Sequence, residues 1–187
     1  MSPRRPTDPA DAGLIARAIA GDQAAFGDLY EHYLPAVYRY VFYRVADEHE
    51  AEDLTETVFV KAWEALGRYR PTEAPFAAWL YRIAHNLLID RRRAQKAVDP
   101  LAERMPDLTP GADPASHMDR REQAAALARA LAQLDAAQQE VLTLRFVSNL
   151  SHAETAQVMG RSEGAVRVLQ HRALAALRRL LIEKVEP

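Results

Sequence analysis

Arginine recurs at helical spacings late in the chain, as Arg161, Arg167, Arg172, Arg178 and Arg179, with Glu163, Gln170 and His171 among them. Arginine, glutamine and glutamate are the side chains that read base edges or grip phosphates in a DNA major groove. A second set mixes arginine with aromatic rings. It runs from Arg68-Tyr69-Arg70-Pro71 through Trp79, Tyr81, Arg82, His85 and Asn86 to Arg91, Arg92 and Arg93. That interleaving suits stacking on unpaired bases beside a phosphate-gripping track, although Trp79, Leu80 and Ile83 also fit a helix core. Carboxylates gather elsewhere: Asp47, Glu48, Glu50, Glu52, Asp53 and Glu56 stand in one stretch with no Lys or Arg. Charge runs are often just solvated helix faces, but signs segregated this way also suit a chain that meets one cationic partner and one anionic one.

The 187 residues carry 24 Lys+Arg against 26 Asp+Glu, a net charge of −2, which argues against a uniformly basic nucleic-acid coat. With no cysteine, disulfides, thiolate metal sites and cysteine nucleophiles are excluded. None of the six histidines has a Glu three residues before it, so the spacing of a di-iron bundle is missing. His-Glu-x-x-His, Walker and Rossmann motifs are missing too. No catalytic set and no cofactor are expected. No apolar run approaches the roughly 20 residues that span a bilayer, and no apolar stretch follows Arg4 and Arg5. A cytoplasmic chain that does not insert into a membrane is expected.

The elements that must position these residues are helices. Leu14, Ile15, Ala18 and Ile19, then Phe26, Leu29, Tyr30 and Tyr33, fit a helix pair around Gly21-Asp22. Leu54, Val58, Ala62 and Leu66 recur every fourth residue, with Asp53, Thr57, Lys61 and Glu64 on the opposite face. Phe76, Trp79, Leu80, Ile83, Leu87 and Leu88 begin another helix. Four of the 11 prolines (Pro100, Pro106, Pro110 and Pro114) then fall within fifteen positions, and none lies between Pro114 and Pro187. The expected organisation is all-α: a disordered tail over 1–13, a helical domain over 14–94, a flexible linker over 95–120 and a second helical domain over 121–187.

The second block carries local signals of its own. Asp135 caps a helix whose buried side is Val141, Leu142, Leu144 and Phe146. Ser151 with Glu154 forms a capping box, Gly160 supplies a left-handed stop, and Ser162 caps the last helix. Ala156, Gly160, Val166 and Leu169 have the spacing of a helix-turn-helix. Val166, Leu169, Ala173, Leu174 and Leu177 point inward, leaving Arg161, Glu163, Arg167, Gln170, His171 and Arg172 for the other sides.

Both blocks together resemble bacterial RNA polymerase sigma factors of the extracytoplasmic-function (ECF) group. The likeness is carried by Ala51-Glu-Asp-Leu-Thr-Glu-Thr-Val-Phe-Val-Lys-Ala-Trp63, by Phe76-Ala-Ala-Trp-Leu-Tyr-Arg-Ile-Ala-His-Asn86 and by Asp90-Arg-Arg-Arg93. In the second block it is carried by Gln139-Glu-Val-Leu-Thr-Leu-Arg-Phe146 and by Ser162-Glu-Gly-Ala-Val-Arg167 with His171-Arg-Ala173.

The resemblance implies docking of Asp53, Glu56 and Thr57 on the clamp helices of the polymerase's largest subunit. It also implies capture of the opened minus-ten strand by Arg68, Tyr69, Arg70, Arg82, Asn86, Arg91, Arg92 and Arg93. Reading of the minus-thirty-five major groove falls to Arg161, Ser162, Glu163, Arg167, Val168, His171 and Arg172. A grip on the flap tip of the other large subunit, and control by an anti-sigma factor, are implied as well. Glu56-Thr57, Ala165 and Val168-Leu169-Gln170 depart from the family's usual residues, so the promoter sequence does not carry over. A two-domain helix-turn-helix repressor or activator with a ligand-sensing first block is the competing reading, and it needs a ligand pocket and usually a dimer.

Overall fold

A computed structural model describes residues 11–98 and 118–182; the four linker prolines and residues 1–10 and 183–187 lie outside the described residues. Within them the chain forms helices joined by short turns, with no strand.

The first block is built from α1 (Asp11–Ile19), α2 (Gln23–Val45), α3 (Glu48–Ala65) and α4 (Phe76–Val98). The expected tail thus overlaps the start of α1, where Asp11 is buried and accepts a hydrogen bond from the Tyr33 hydroxyl at 2.7 Å. Gly21, at φ +95°, turns the chain between α1 and α2 in a conformation that a Cβ disfavours. Asp22 then caps α2 by accepting from the Ala25 amide at 3.1 Å, and Arg17 reaches it at 2.6 Å. The amide bond and the guanidinium hold the Asp22 carboxyl below the usual carboxylate range. Asp47 caps α3 through the Glu50 amide at 2.7 Å, so one of the clustered carboxylates starts the helix that carries the rest. Ala51, Thr55, Val58, Phe59 and Ala62 bury one face of α3 and leave Asp53 and Glu56 outside.

The second block comprises α5 (Met118–Ala132), α6 (Ala136–Leu142), α7 (His152–Met159) and α8 (Glu163–Ile182), with a π-helical turn over Thr143–Val147. The expected caps are in place. Asp135 accepts from the Ala137 and Gln138 amides, and Ser151 with Glu154 closes a reciprocal box. Gly160 ends α7 at φ +61°, and the Ser162 hydroxyl accepts from the Ala165 amide at 3.2 Å. Leu131, Leu134, Val141, Leu142, Ala156, Val166 and Ala173 form a core under α6, α7 and α8.

Two residues expected inside are outside. Phe146 is 60% exposed, because it lies two positions from fully buried Leu144 and so projects from the opposite side of the turn. Leu174 is 41% exposed, because it follows Ala173 by one position and so points some 100° away from that buried face. The two blocks also touch. Ala128, Leu144, Leu150 and Val158 from the second block complete the core of the first, and α7 packs along α4.

Candidate nucleic-acid interface

Along α8 the buried residues are Val166 and Ala173, with Leu169 and Leu177 half-buried. Arg161, Ser162, Glu163, Arg167, Val168, His171 and Arg172 are all exposed. Val168 is 53% exposed, an apolar side chain set among polar ones. Glu163 and Arg167 pair one turn apart at 3.4 Å, an exposed contact that holds loosely and leaves the guanidinium free to change partners. The structure therefore brings the expected major-groove set onto one solvent-facing surface near the N-terminus of α8. That is the end a helix-turn-helix presents to base edges.

Gln170 is occupied. Its Oε1 accepts from Arg145 Nε at 3.0 Å, and Arg145 Nη1 also donates to the Leu150 carbonyl. Arg145 thus ties the π turn, the loop before α7 and the exposed helix together. Nothing in the local pattern singles it out, because its partners lie 25 and 5 residues away.

The first block divides its expected set. Arg68, Arg70, Arg82, Asn86, Arg92 and Arg93 are exposed. Tyr69 is buried at 4% exposure and packs edge-on against Phe76 and at a tilt against Trp79, at ring-centroid distances of 5.4 and 4.8 Å. Its hydroxyl donates to the Ala74 carbonyl at 2.8 Å, and burial pushes its pKa up to about 12. Tyr69 therefore pins the loop between α3 and α4 and offers no ring face to a base, a correction to its expected contact role. Arg70 folds back to donate to the Gly67 and Tyr69 carbonyls at 3.1 and 3.0 Å. Arg91 is half-buried in an ion pair with Glu50. What stays open is a strip of exposed Arg and Asn side chains along α4 and its preceding loop.

On α3, Asp53 and Glu56 are exposed, and half-buried Thr57 donates to the Asp53 carbonyl at 2.9 Å. The same helix exposes Val60 and Trp63, at 57% and 39%, which the fourfold spacing of Leu54, Val58 and Ala62 does not predict. Trp63 keeps one contact inward, to Phe26 at 4.8 Å between centroids. An acidic surface with apolar residues beside it suits a protein partner better than nucleic acid. Among the described residues no group of His, Asp and Glu is placed to hold a metal ion, and no helix is long and apolar enough to cross a membrane.

Comparison with known proteins places both blocks. Residues 29–98 match the Sigma-70 region 2 family and residues 130–179 match Sigma-70 region 4. The chain is 40% identical over 184 residues to the ECF RNA polymerase sigma factor BldN of Streptomyces coelicolor, covering 95% of this chain and 70% of that protein. To the ECF RNA polymerase sigma factor SigD of Mycobacterium tuberculosis it is 37% identical over 172 residues, covering 88% and 81%. Among solved structures it is similar to CnrH in its complex with the cytosolic domain of CnrY. That match has a TM-score of 0.74 and 32% identity, and covers 93% of this chain and 98% of CnrH.

Proposed function

The chain belongs to the ECF RNA polymerase sigma factors, and from that premise we propose how its own residues perform the task. It directs core RNA polymerase to specific promoters and starts transcription there. The exposed face of α8 enters the major groove of the minus-thirty-five element. Arg161, Arg167 and Arg172 supply phosphate or guanine contacts, Val168 an apolar contact, and Glu163, His171 and Ser162 adjust position. The strip of Arg68, Arg70, Arg82, Asn86, Arg92 and Arg93 grips the opened minus-ten strand, and Tyr69 keeps the loop in shape from inside.

Melting a few base pairs costs on the order of a few kcal/mol, and binding the released strand offsets part of that. Asp53, Glu56 and Thr57 dock on the largest polymerase subunit, and the second block meets the other large subunit. Two modest DNA contacts held on one scaffold act at high effective concentration, so neither need be strong alone. The protein does no covalent chemistry of its own and acts in the cytoplasm. CnrH is held by the cytosolic domain of CnrY, and an anti-sigma protein is proposed as a partner here too.

The observation that carries this reading is the exposure of the whole α8 set above a buried Val166 and Ala173. The experiment is a footprint of promoter DNA with and without core enzyme. Protection of both elements only when the two proteins are together supports it, and tight protection by the chain alone favours a conventional repressor.

A further inference from the structure

Gln170 lies half-buried beside the outward set of α8, and promoter reading as described above gives it no task. It follows Glu163 by seven positions and Arg167 by three, so it stands two turns along the Glu163 line of the helix, next to Arg167. Its Oε1 accepts from Arg145 Nε at 3.0 Å. An arginine only donates, so the amide atom that faces it must be the oxygen. The two N–H donors of the amide lie on its other side.

Arg145 is itself held in place. Its Nη1 donates to the Leu150 carbonyl, so one planar guanidinium serves two acceptors at once. Leu144 and Leu150, which bound this turn, are fully buried, and the Leu150 amide donates to the Leu144 carbonyl at 3.0 Å. The Glu163–Arg167 pair, by contrast, is exposed at both ends and 3.4 Å long. The braced Arg145 tie keeps its partner where the surface pair exchanges.

A glutamine reads adenine by turning both amide atoms to one base edge, the oxygen accepting from N6 and the nitrogen donating to N7. An Oε1 that faces Arg145 cannot make that turn. Donation alone remains, and DNA offers acceptors at guanine N7 and O6, at thymine O4 and at the phosphates. We propose that Arg145 is a positioning residue that sets Gln170 as a donor-only contact to DNA and denies it the two-point grip on adenine. What Gln170 touches rests on the sigma-factor reading; the tie itself does not.

The tie is judged in the free, full-length chain by a thermal-denaturation cycle of Arg145→Met, Gln170→Met and the double variant. Losses that are less than additive support it, and additive losses overturn it. Its consequence is judged by titrating the chain, assembled with core RNA polymerase, onto promoter duplexes in which each minus-thirty-five base pair is varied in turn. Arg145→Met should raise the preference for adenine at one position by about fivefold or more, and the gain should vanish in the double variant. Should Arg145→Met lose helicity, Arg145→Lys carries both tests, because one ammonium cannot hold two acceptors as a guanidinium fork does. An unchanged base profile in the folded variant, or a gain that survives in the double variant, overturns the positioning role. Gln170→Met alone should weaken binding, unequally across sequences where the donors meet a base and equally where they meet phosphate. No loss with Gln170→Met overturns the contact. A parent holoenzyme that binds none of the duplexes overturns the promoter reading, and the free-chain cycle still judges the tie.

Discussion

Arg91 on α4 is ion-paired with Glu50 in the first turn of α3, which fastens the start of the acidic helix to the far end of the arginine-bearing one. Of three consecutive arginines, Arg91 therefore has a structural partner while Arg92 and Arg93 face solvent. Glu50→Ala should lower stability by about 0.5–1 kcal/mol, the scale of a partly exposed pair, and leave strand binding nearly intact. Arg92→Ala and Arg93→Ala should do the reverse. Thermal melts paired with titration of a single-stranded minus-ten oligonucleotide onto the holoenzyme check both halves.

On α8, Arg167→Ala and Arg172→Ala should each weaken minus-thirty-five binding by about 1–3 kcal/mol per lost base contact, without loss of helicity. Substituting the base pair opposite the missing side chain should cost the variant less than it costs the parent. Equal losses on all sequences would assign that arginine to phosphate instead.

The π turn makes a contrast within three residues. Leu144 is fully buried and Phe146 is 60% exposed. Leu144→Ala should cost about 2–5 kcal/mol. Phe146→Ala should stay within about 0.5 kcal/mol, the range of ordinary surface changes. Chemical denaturation measures both, and a large loss at Phe146 would mean that its ring is packed inside rather than exposed.

Burial raises the pKa of Tyr33, Tyr40, Tyr69 and Tyr81, with the Asp11 hydrogen bond adding at Tyr33. The folded protein keeps these phenols protonated where an unfolded chain, at about pH 10, begins to lose them. Their contribution to stability is thus complete below about pH 10 and, for Tyr69, is lost as pH climbs through about 12. Alkaline titration followed by ultraviolet absorbance and circular dichroism should show late tyrosine ionisation coinciding with loss of helix.

The parts of this fold that act locally were legible in the sequence. Asp135, Ser151 with Glu154, Gly160 and Ser162 cap or end helices through amides a few residues away, so spacing alone places them. The outward set on α8 was legible for the same reason: one helix period decides which side chains share a face. Tyr69 was not, because its burial depends on rings that close over it from α4. Phe146 was not, because it and Leu144 stand two positions apart and face opposite sides, and apolar character alone does not say which of the two lies inside. The meeting of His85 with Glu140 spans 55 residues and the linker between, and no local pattern encodes it.

The central claim is tested most directly by run-off transcription from a library of promoter regions, using purified core RNA polymerase with and without this chain. Discrete transcripts should appear only when the chain is present, and should fall sharply when Asp53 and Glu56 are both changed to Lys, with helicity unchanged. Transcripts that are absent with the parent chain, or undiminished with the charge-reversed variant, would contradict the promoter-directing role or the acidic docking face respectively.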